Sequence, residues 1–323
     1  MLKTFALAAV ASALTLVTGT VSASAEPLKV IASFSIIEDL AKNVGGDRVE
    51  IITLVGPDGD AHVYEPKPAD AAAVSAADVV LVNGIGFEGF LPRLIEASST
   101  KAPVVELSKG VTPLKAAEEH DHEHEHEHKP GEADHDHEHE EAHHHHGEFD
   151  PHAWQSVPNV KIYVKNIAEA LCAADAAGCD TYKKNAAAYD AKLSALDQEV
   201  RDAISAIPED KRTVITSHDA FGYFQNAYGL TFLAPEGVST ESEASAADVA
   251  ALIRQTKEDK ASAIFVENIT NPRLIEQIAS ETGLRVGGEL YSDALSTADG
   301  PAATYVDMIR HNVSTIKGAI LGS

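Results

Sequence analysis

The sequence predicts two α/β halves, each a mainly parallel sheet with flanking helices, joined by one long helix. Three observations carry this. Strand-length apolar runs alternate with helical segments over 28–107, the alternation resumes after residue 210, and an uninterrupted amphipathic pattern lies between.

In order along the chain, 28–32 is a short apolar strand, and Ser35 with Glu38 forms a capping box that opens a helix closed by Gly45. Strands follow at 49–54, 78–82 and 104–107, with a helix over 69–77. In the second half, strands are expected at 213–216, 231–233, 262–266 and 284–287, with helices over 245–257 and 272–282. The latter has Asn271 as N-cap, Pro272 in the first turn and Gly283 just past its end. Between the halves, Tyr182, Ala186, Tyr189, Leu193, Leu196, Val200, Ala203 and Ile207 recur in steps of four and three until Pro208 stops the pattern. That spacing is one face of a helix about 39 Å long at 1.5 Å per residue, enough for a rigid spine. The resulting division is 1–25 leader, 26–178 first domain, 179–208 linker helix and 209–323 second domain.

The leader reading rests on Lys3, an apolar run over 5–17 and Ala23-Ser24-Ala25 before Glu26, a secretory signal with an A-x-A cleavage site. The run is shorter than the ~20 residues a membrane-spanning helix needs. With no cysteine near the cleavage site, a soluble exported protein is expected, in the periplasm. The formal charge of −25 disfavours nucleic acid and anionic lipid as partners and suits a cationic ligand. The only cysteines, Cys172 and Cys179, read as a disulfide stapling two helices, since a redox or metal pair would be spaced as CxxC.

Residues 118–148 belong to neither half. They hold thirteen acidic residues and twelve of the sixteen histidines: His120, His122, His124, His126, His128, His135, His137, His139, His143, His144, His145 and His146. Such a tract cannot bury a core, and it is expected to be a disordered loop with weak auxiliary metal sites. A solvated acidic loop would explain the acids but not the histidines. His124-Glu125-His126-Glu127-His128 satisfies the H-E-x-x-H signature of zinc proteases, yet it lacks the apolar helix face that the signature needs.

Four histidines lie elsewhere, and three sit beside strand ends. His62 is in Gly59-Asp60-Ala61-His62-Val63-Tyr64-Glu65-Pro66, His152 in Asp150-Pro151-His152-Ala153-Trp154, and His218 in Ser217-His218-Asp219-Ala220-Phe221-Gly222. Ligands of open α/β sheets gather at the carboxyl ends of strands, so these imidazoles are candidates for one site. Asp293, after the last strand, is the candidate fourth ligand, with water as the alternative. Three imidazoles and a carboxylate would fill a tetrahedral zinc shell, which means binding rather than hydrolysis. Imidazole suits zinc, whereas manganese prefers more oxygen. Asp60, Asp150 and Asp219 could orient the rings from behind, or cap backbone instead. His311, in the terminal helical stretch 302–320, reads as a packing or surface residue.

Two decoys are set aside. Gly84-x-Gly86-x-x-Gly89 follows a strand and has Glu106 twenty residues after Gly86, but no hydride-transfer constellation accompanies it, and the glycines read as tight-turn residues. Ser217-His218-Asp219 contains triad residue types, but consecutive side chains do not converge as nucleophile, base and orienter.

The segments around His62, His152, His218 and Asp293, the Gly84-Ile85-Gly86-Phe87-Glu88 turn and the long helix together resemble the cluster A-I metal-binding proteins of ABC importers, closest to the ZnuA-type zinc branch. The resemblance covers essentially the whole chain after the leader. It implies two four-stranded α/β domains, a rigid helical linker, a metal in the interdomain cleft, and delivery to a membrane permease driven by a cytoplasmic ATPase. In the manganese branch the third ligand is a glutamate, so His218 favours Zn(II) as the transported ligand. Some zinc members carry a carboxylate just before the first histidine, where this chain has Ala61. A periplasmic zinc chaperone or buffer without a permease, and an exported zinc hydrolase, are the readings from other classes. The expected state is a monomer, with a zinc chaperone a further possible partner.

Overall fold

A computed structural model describes residues 26–116 and 148–322. The leader expected over 1–25 and the histidine tract, apart from Glu148, lie outside the described residues. The first sheet consists of β1 (Leu28–Phe34), β2 (Val49–Val55), β3 (Val79–Val82) and β4 (Val104–Glu106), interleaved with α1 (Ser35–Gly45), α2 (Pro68–Ser75) and α3 (Leu91–Ser98). Two antiparallel helices follow, α4 (Val157–Ala174) and α5 (Cys179–Ser205). The second sheet consists of β5 (Thr213–Ile215), β6 (Thr231–Leu233), β7 (Ala263–Glu267) and β8 (Val286–Leu290). Its helices are α6 (Gly222–Tyr228), α7 (Ala246–Glu258) and α8 (Arg273–Thr282), and α9 (Tyr305–Leu321) closes the chain.

Both sheets repeat one topology. The strand orders are β2-β1-β3-β4 and β6-β5-β7-β8, with every pairing parallel. Each order reverses beside its first strand, so the carboxyl ends of β1 and β3, and of β5 and β7, frame a crevice where no loop crosses. The sequence explains which strands are central: all four residues of β3 and the last five of β1 are buried, as strands covered on both faces must be. Edge strand β2 instead alternates partly buried with exposed residues over its first four positions.

Helix α5 has the predicted face inward: Tyr182, Tyr189, Leu193, Leu196 and Val200 are buried, with Ile204 taking the buried position next to the expected Ala203. It packs on α1 and α4 at one end and on α6 and α9 at the other. Asn185 donates to the Val44 carbonyl, and Glu199 pairs with Arg310 of α9 at 2.8 Å. One contiguous apolar core therefore runs from the first sheet along α5 into the second, with a smaller cluster between the second sheet and α7–α8. Helix α4 was not anticipated from the pattern. It is apolar on one face through Val160, Tyr163, Val164, Ile167 and Leu171 and fills the space between α1 and α5. No helix among the described residues is long and apolar enough to cross a membrane.

Two expected helix starts differ. The residue before α1 is Phe34, without a side-chain cap, because β1 runs directly into the helix; the Ser35 hydroxyl accepts instead from the Leu295 amide of the other lobe at 2.9 Å. Helix α8 begins at Arg273, one residue later than expected, and Asn271 Oδ1 still accepts from the Arg273 amide at 3.2 Å.

The structure joins Cys172 and Cys179 by a disulfide that ties the end of α4 to the start of α5. The closed loop is short, so its chain-entropy contribution is roughly 2–3 kcal/mol. Replacing both cysteines with serine should lower the denaturant-extrapolated unfolding free energy by about that amount, and should leave the α-helical circular dichroism signal intact. No loss of stability would mean that α4–α5 packing alone holds the turn.

Candidate metal centre

Four loops at carboxyl strand ends converge in the crevice. His62 lies on the loop after β2, His218 three residues past β5 and Asp293 three past β8. His152 sits immediately before the single 3-10 turn that leads into α4. His152, His218 and Asp293 are fully buried, and His62 is 8 % exposed. One donor atom from each lies within 4.8 Å of the others. Asp293 Oδ2 is 3.1 Å from His62 Nε2, 3.2 Å from His218 Nε2 and 3.6 Å from His152 Nε2, and the Nε2 atoms of His62 and His152 are 3.4 Å apart. Four donors about 2.05 Å from one ion at the corners of a tetrahedron are about 3.3 Å apart; the four separations above match such edges, and the widest pair, within 4.8 Å, would draw together around an ion the size of zinc.

The surrounding groups aim the donors inward. His152 Nδ1 is 2.8 Å from Asp150 Oδ1, which also accepts the His152 amide, and His218 Nδ1 is 2.7 Å from Glu267 Oε2. A carboxylate at Nδ1 holds the proton there and leaves the Nε2 lone pair facing the centre. Glu267 Oε1 further accepts the Ser217 and His218 amides at 2.7 and 3.0 Å. The Ser292 carbonyl, preceding Asp293, accepts from Trp154 Nε1 at 2.9 Å and Gln155 Nε2 at 2.6 Å. Ligand loops of the two lobes are thereby bonded to each other.

Of the three aspartates considered as orienters, Asp150 holds a ring. Asp60 caps the His62 amide at 2.8 Å instead of holding the ring. Asp219 has no side-chain hydrogen bond or ion pair among the described residues, and its carboxyl is pushed up by burial and then by Asp150. Glu267 was missed. Its signal was a charged residue ending the buried run of β7, where a carboxylate has no packing role. Gly222 also serves the site: a Cβ there would lie 2.5 Å from Asp150 Oδ2, so only glycine lets α6 start against this loop.

The remaining sequence motifs supply no further donor to the cluster, although Phe87 of the 84–89 turn packs edge-on against His62 with ring centroids 4.8 Å apart. The 84–89 turn, with Gly84 and Gly86 at φ 85° and 77°, folds around the chain's own Glu88, which accepts the Asn83 and Gly84 amides at 2.6 and 3.2 Å. An internal carboxylate thus occupies the position where a dinucleotide fingerprint would cradle phosphate. Asn83 in turn donates to the Pro151 carbonyl at 2.9 Å, beside His152. His218 faces Glu267 and Asp293 rather than Ser217 as a triad would require. His311 bonds the Glu289 carbonyl at 3.0 Å and packs edge-on against Tyr291, as a packing residue does.

Residues 30–319 match the family described as "Zinc-uptake complex component A periplasmic", ZnuA. The chain belongs to this family. ZnuA-family members are binding components of ABC importers that work with a membrane permease, and are not enzymes. Among relatives, the chain is 35 % identical to the manganese-binding lipoprotein MntA of Halalkalibacterium halodurans, over 92 % of this chain and 90 % of that one. It is 33 % identical to the iron ABC transporter substrate-binding lipoprotein MtsA of Streptococcus pyogenes, over 93 % and 91 %. The solved periplasmic zinc binding protein TroA of Treponema pallidum superimposes with a TM-score of 0.78 at 30 % identity, over 91 % of this chain and 99 % of that one.

The ZnuA-family cluster carries a characteristic charge state when no metal is held. Burial by itself favours a neutral His152, but Asp293 and Asp150 outweigh it and push the ring up to about 9. His218 goes well above the usual imidazole range, because Glu267 and Asp293 again outweigh burial. Burial would raise Asp293, yet His152 and His218 hold it well below the usual carboxylate range. A raised imidazole pKa adds stability that is complete below the unfolded value of about 6.5 and is lost as pH rises through the folded one. The metal-free protein should therefore melt at progressively lower temperature from pH 6.5 to about 9, with His152 still imidazolium at pH 7 in long-range ¹H–¹⁵N spectra. A neutral His152 at pH 7 would contradict this electrostatic account.

Proposed function

We propose that this chain captures one Zn(II) with His62, His152, His218 and Asp293 in the periplasm and delivers it to the permease of an ABC importer. The observation that carries the reading is the donor set: three imidazole nitrogens and one carboxylate oxygen gathered within 4.8 Å of one another, the donor types and number of a tetrahedral zinc shell. Four protein donors would leave no place for water on a tetrahedral ion, and Asp150 and Glu267 are taken up by the rings they hold, which supports binding over hydrolysis. The proposed leader is removed after Ala25. In this reading 26–178 and 209–323 are the two domains and 179–208 the linker.

A second reading, manganese or iron as cargo, is favoured by one observation. Asp293 Oδ1 is buried with no hydrogen-bond partner among the described residues, and it could serve as a fifth, hard donor. Competition titration separates the two. Zinc should displace manganese from the wild-type site, and His218→Glu, which exchanges a borderline donor for a hard one, should shift the zinc-to-manganese affinity ratio toward manganese by about tenfold or more. Unchanged ratios would remove His218 from the shell, and manganese preference in the wild type would establish the second reading.

The histidine tract is proposed to bind further zinc more weakly, because a chain without a core must lose conformational entropy to wrap a metal. Deleting residues 118–146 should leave one tight equivalent in isothermal titration and abolish the weak ones. Loss of the tight equivalent in a folded deletion variant would move the primary site into the tract.

A further inference from the structure

Three of the four converging side chains are restrained from behind, and one is not. His152 and His218 each have a carboxylate at Nδ1, and Asp293 follows a carbonyl held by two N–H donors. The His62 ring has no such carboxylate among the described residues. It is fixed through its backbone, whose amide donates to Asp60 Oδ1 at 2.8 Å. It is also the only member of the cluster with any exposure, 8 % against 0 % for the rest.

In front of His62 opens a cleft of about 990 Å³, lined by His62, Tyr64, Phe87 and Phe149 on one side and Ser239 and Glu241 on the other. The second lip belongs to the segment after β6, residues 234–245. Its base is tied down beside His218, with the Glu236 amide donating to the Ser217 carbonyl at 3.4 Å and the Asp219 amide to the Gly237 carbonyl at 3.0 Å. Further out, Thr240 Oγ1 crosses the cleft and donates to Asp60 Oδ2 at 2.6 Å. One carboxylate thus holds the His62 backbone with one oxygen and the opposite lip with the other.

Building on the metal-capture reading above, we propose that the metal enters and leaves through this cleft by swinging out His62, and that the Asp60–Thr240 hydrogen bond is the latch that sets the rate. The other three donors cannot open the shell cheaply, because moving any of them breaks a buried charge-assisted contact. Swinging out His62 gives up its 3.1 Å contact with Asp293 and its edge-on packing on Phe87, but it breaks no carboxylate contact behind the ring, and it moves the one side chain of the four that borders the cleft. Thr240 contacts none of the four donors, so its hydroxyl governs how often the cleft opens and not what the metal is bound to. A charge-assisted hydrogen bond is strong enough for this role and weak enough to break on each transport cycle.

The test uses full-length oxidised protein loaded with zinc, mixed in a stopped-flow with excess chelator, with the slowest stoichiometric phase reporting the tight site. Thr240→Val keeps the branched shape without the hydroxyl and should release zinc about tenfold faster, as loss of one hydrogen bond to a charged group implies. Thr240→Ser restores the donor and should release within about twofold of wild type. Cobalt loaded into the same site should give the same visible spectrum in all three proteins, since the donors are untouched. Wild-type release from Thr240→Val, or an altered cobalt spectrum in it, would overturn the latch while leaving metal capture standing. Absence of any stoichiometric metal in the wild type would overturn metal capture and the latch with it.

Discussion

The constraint on which the molecule depends is the burial of the Asp293 carboxylate. An ionised group moved into a protein interior loses hydration worth several kcal/mol, and it stays ionised only where opposite charge and hydrogen bonds replace that water. Here His152 and His218 supply the opposite charge, and His62 Nε2 stands 3.1 Å away. Each ring must in turn arrive with the correct nitrogen forward, which is why Asp150 and Glu267 stand behind His152 and His218. The cluster is consequently a cross-link between the two sheets as well as a metal-sized nest of donors. Protons partly fill that role when metal is absent, and a metal replaces them with a shorter-range and more directional attraction.

Topology makes the convergence possible. A parallel sheet sends every strand's carboxyl end the same way, and the shared strand order places the reversal point of each sheet on the same side of the molecule. Two such sheets set mouth to mouth bring the loops that carry His62, His218 and Asp293 to one point, and His152 joins them from the end of the connection between β4 and α4. Helix α5 keeps them there: its buried face contacts helices of both lobes, and the core is continuous along it. Direct contacts at the centre add to this. Ser35 with Leu295, and Trp154 and Gln155 with Ser292, join lobe to lobe through buried hydrogen bonds.

Much of this was legible in the sequence, for specific physical reasons. Strand runs, the spacing of α5 and the paired cysteines are local signals, and β1, β3, α5 and the disulfide appear where those signals lie. The three histidines could be nominated jointly because ligands of open α/β sheets gather at carboxyl strand ends, and Asp293 because it follows the last strand. What could not be read depends on contacts distant in sequence. Ser35 looks like a helix cap until Leu295, 260 residues away, takes its hydroxyl. Glu267 looks like a strand terminus until His218, 49 residues earlier, is folded against it. Helix α4 was readable, since Val157, Val160, Val164, Ile167 and Leu171 recur in steps of three and four, but only the disulfide staple had pointed to a helix there. Asp60 and Asp219 resembled Asp150 in local setting, and only tertiary placement distinguishes the one that holds a ring.

Anomalous diffraction at the zinc edge, from crystals of protein purified without chelator and loaded with a single equivalent, tests the central claim most directly. The account predicts one dominant peak within about 2.0–2.2 Å of His62 Nε2, His152 Nε2, His218 Nε2 and an Asp293 oxygen. A dominant peak anywhere else, or a peak coordinated by the three histidines with Asp293 turned away, would contradict it.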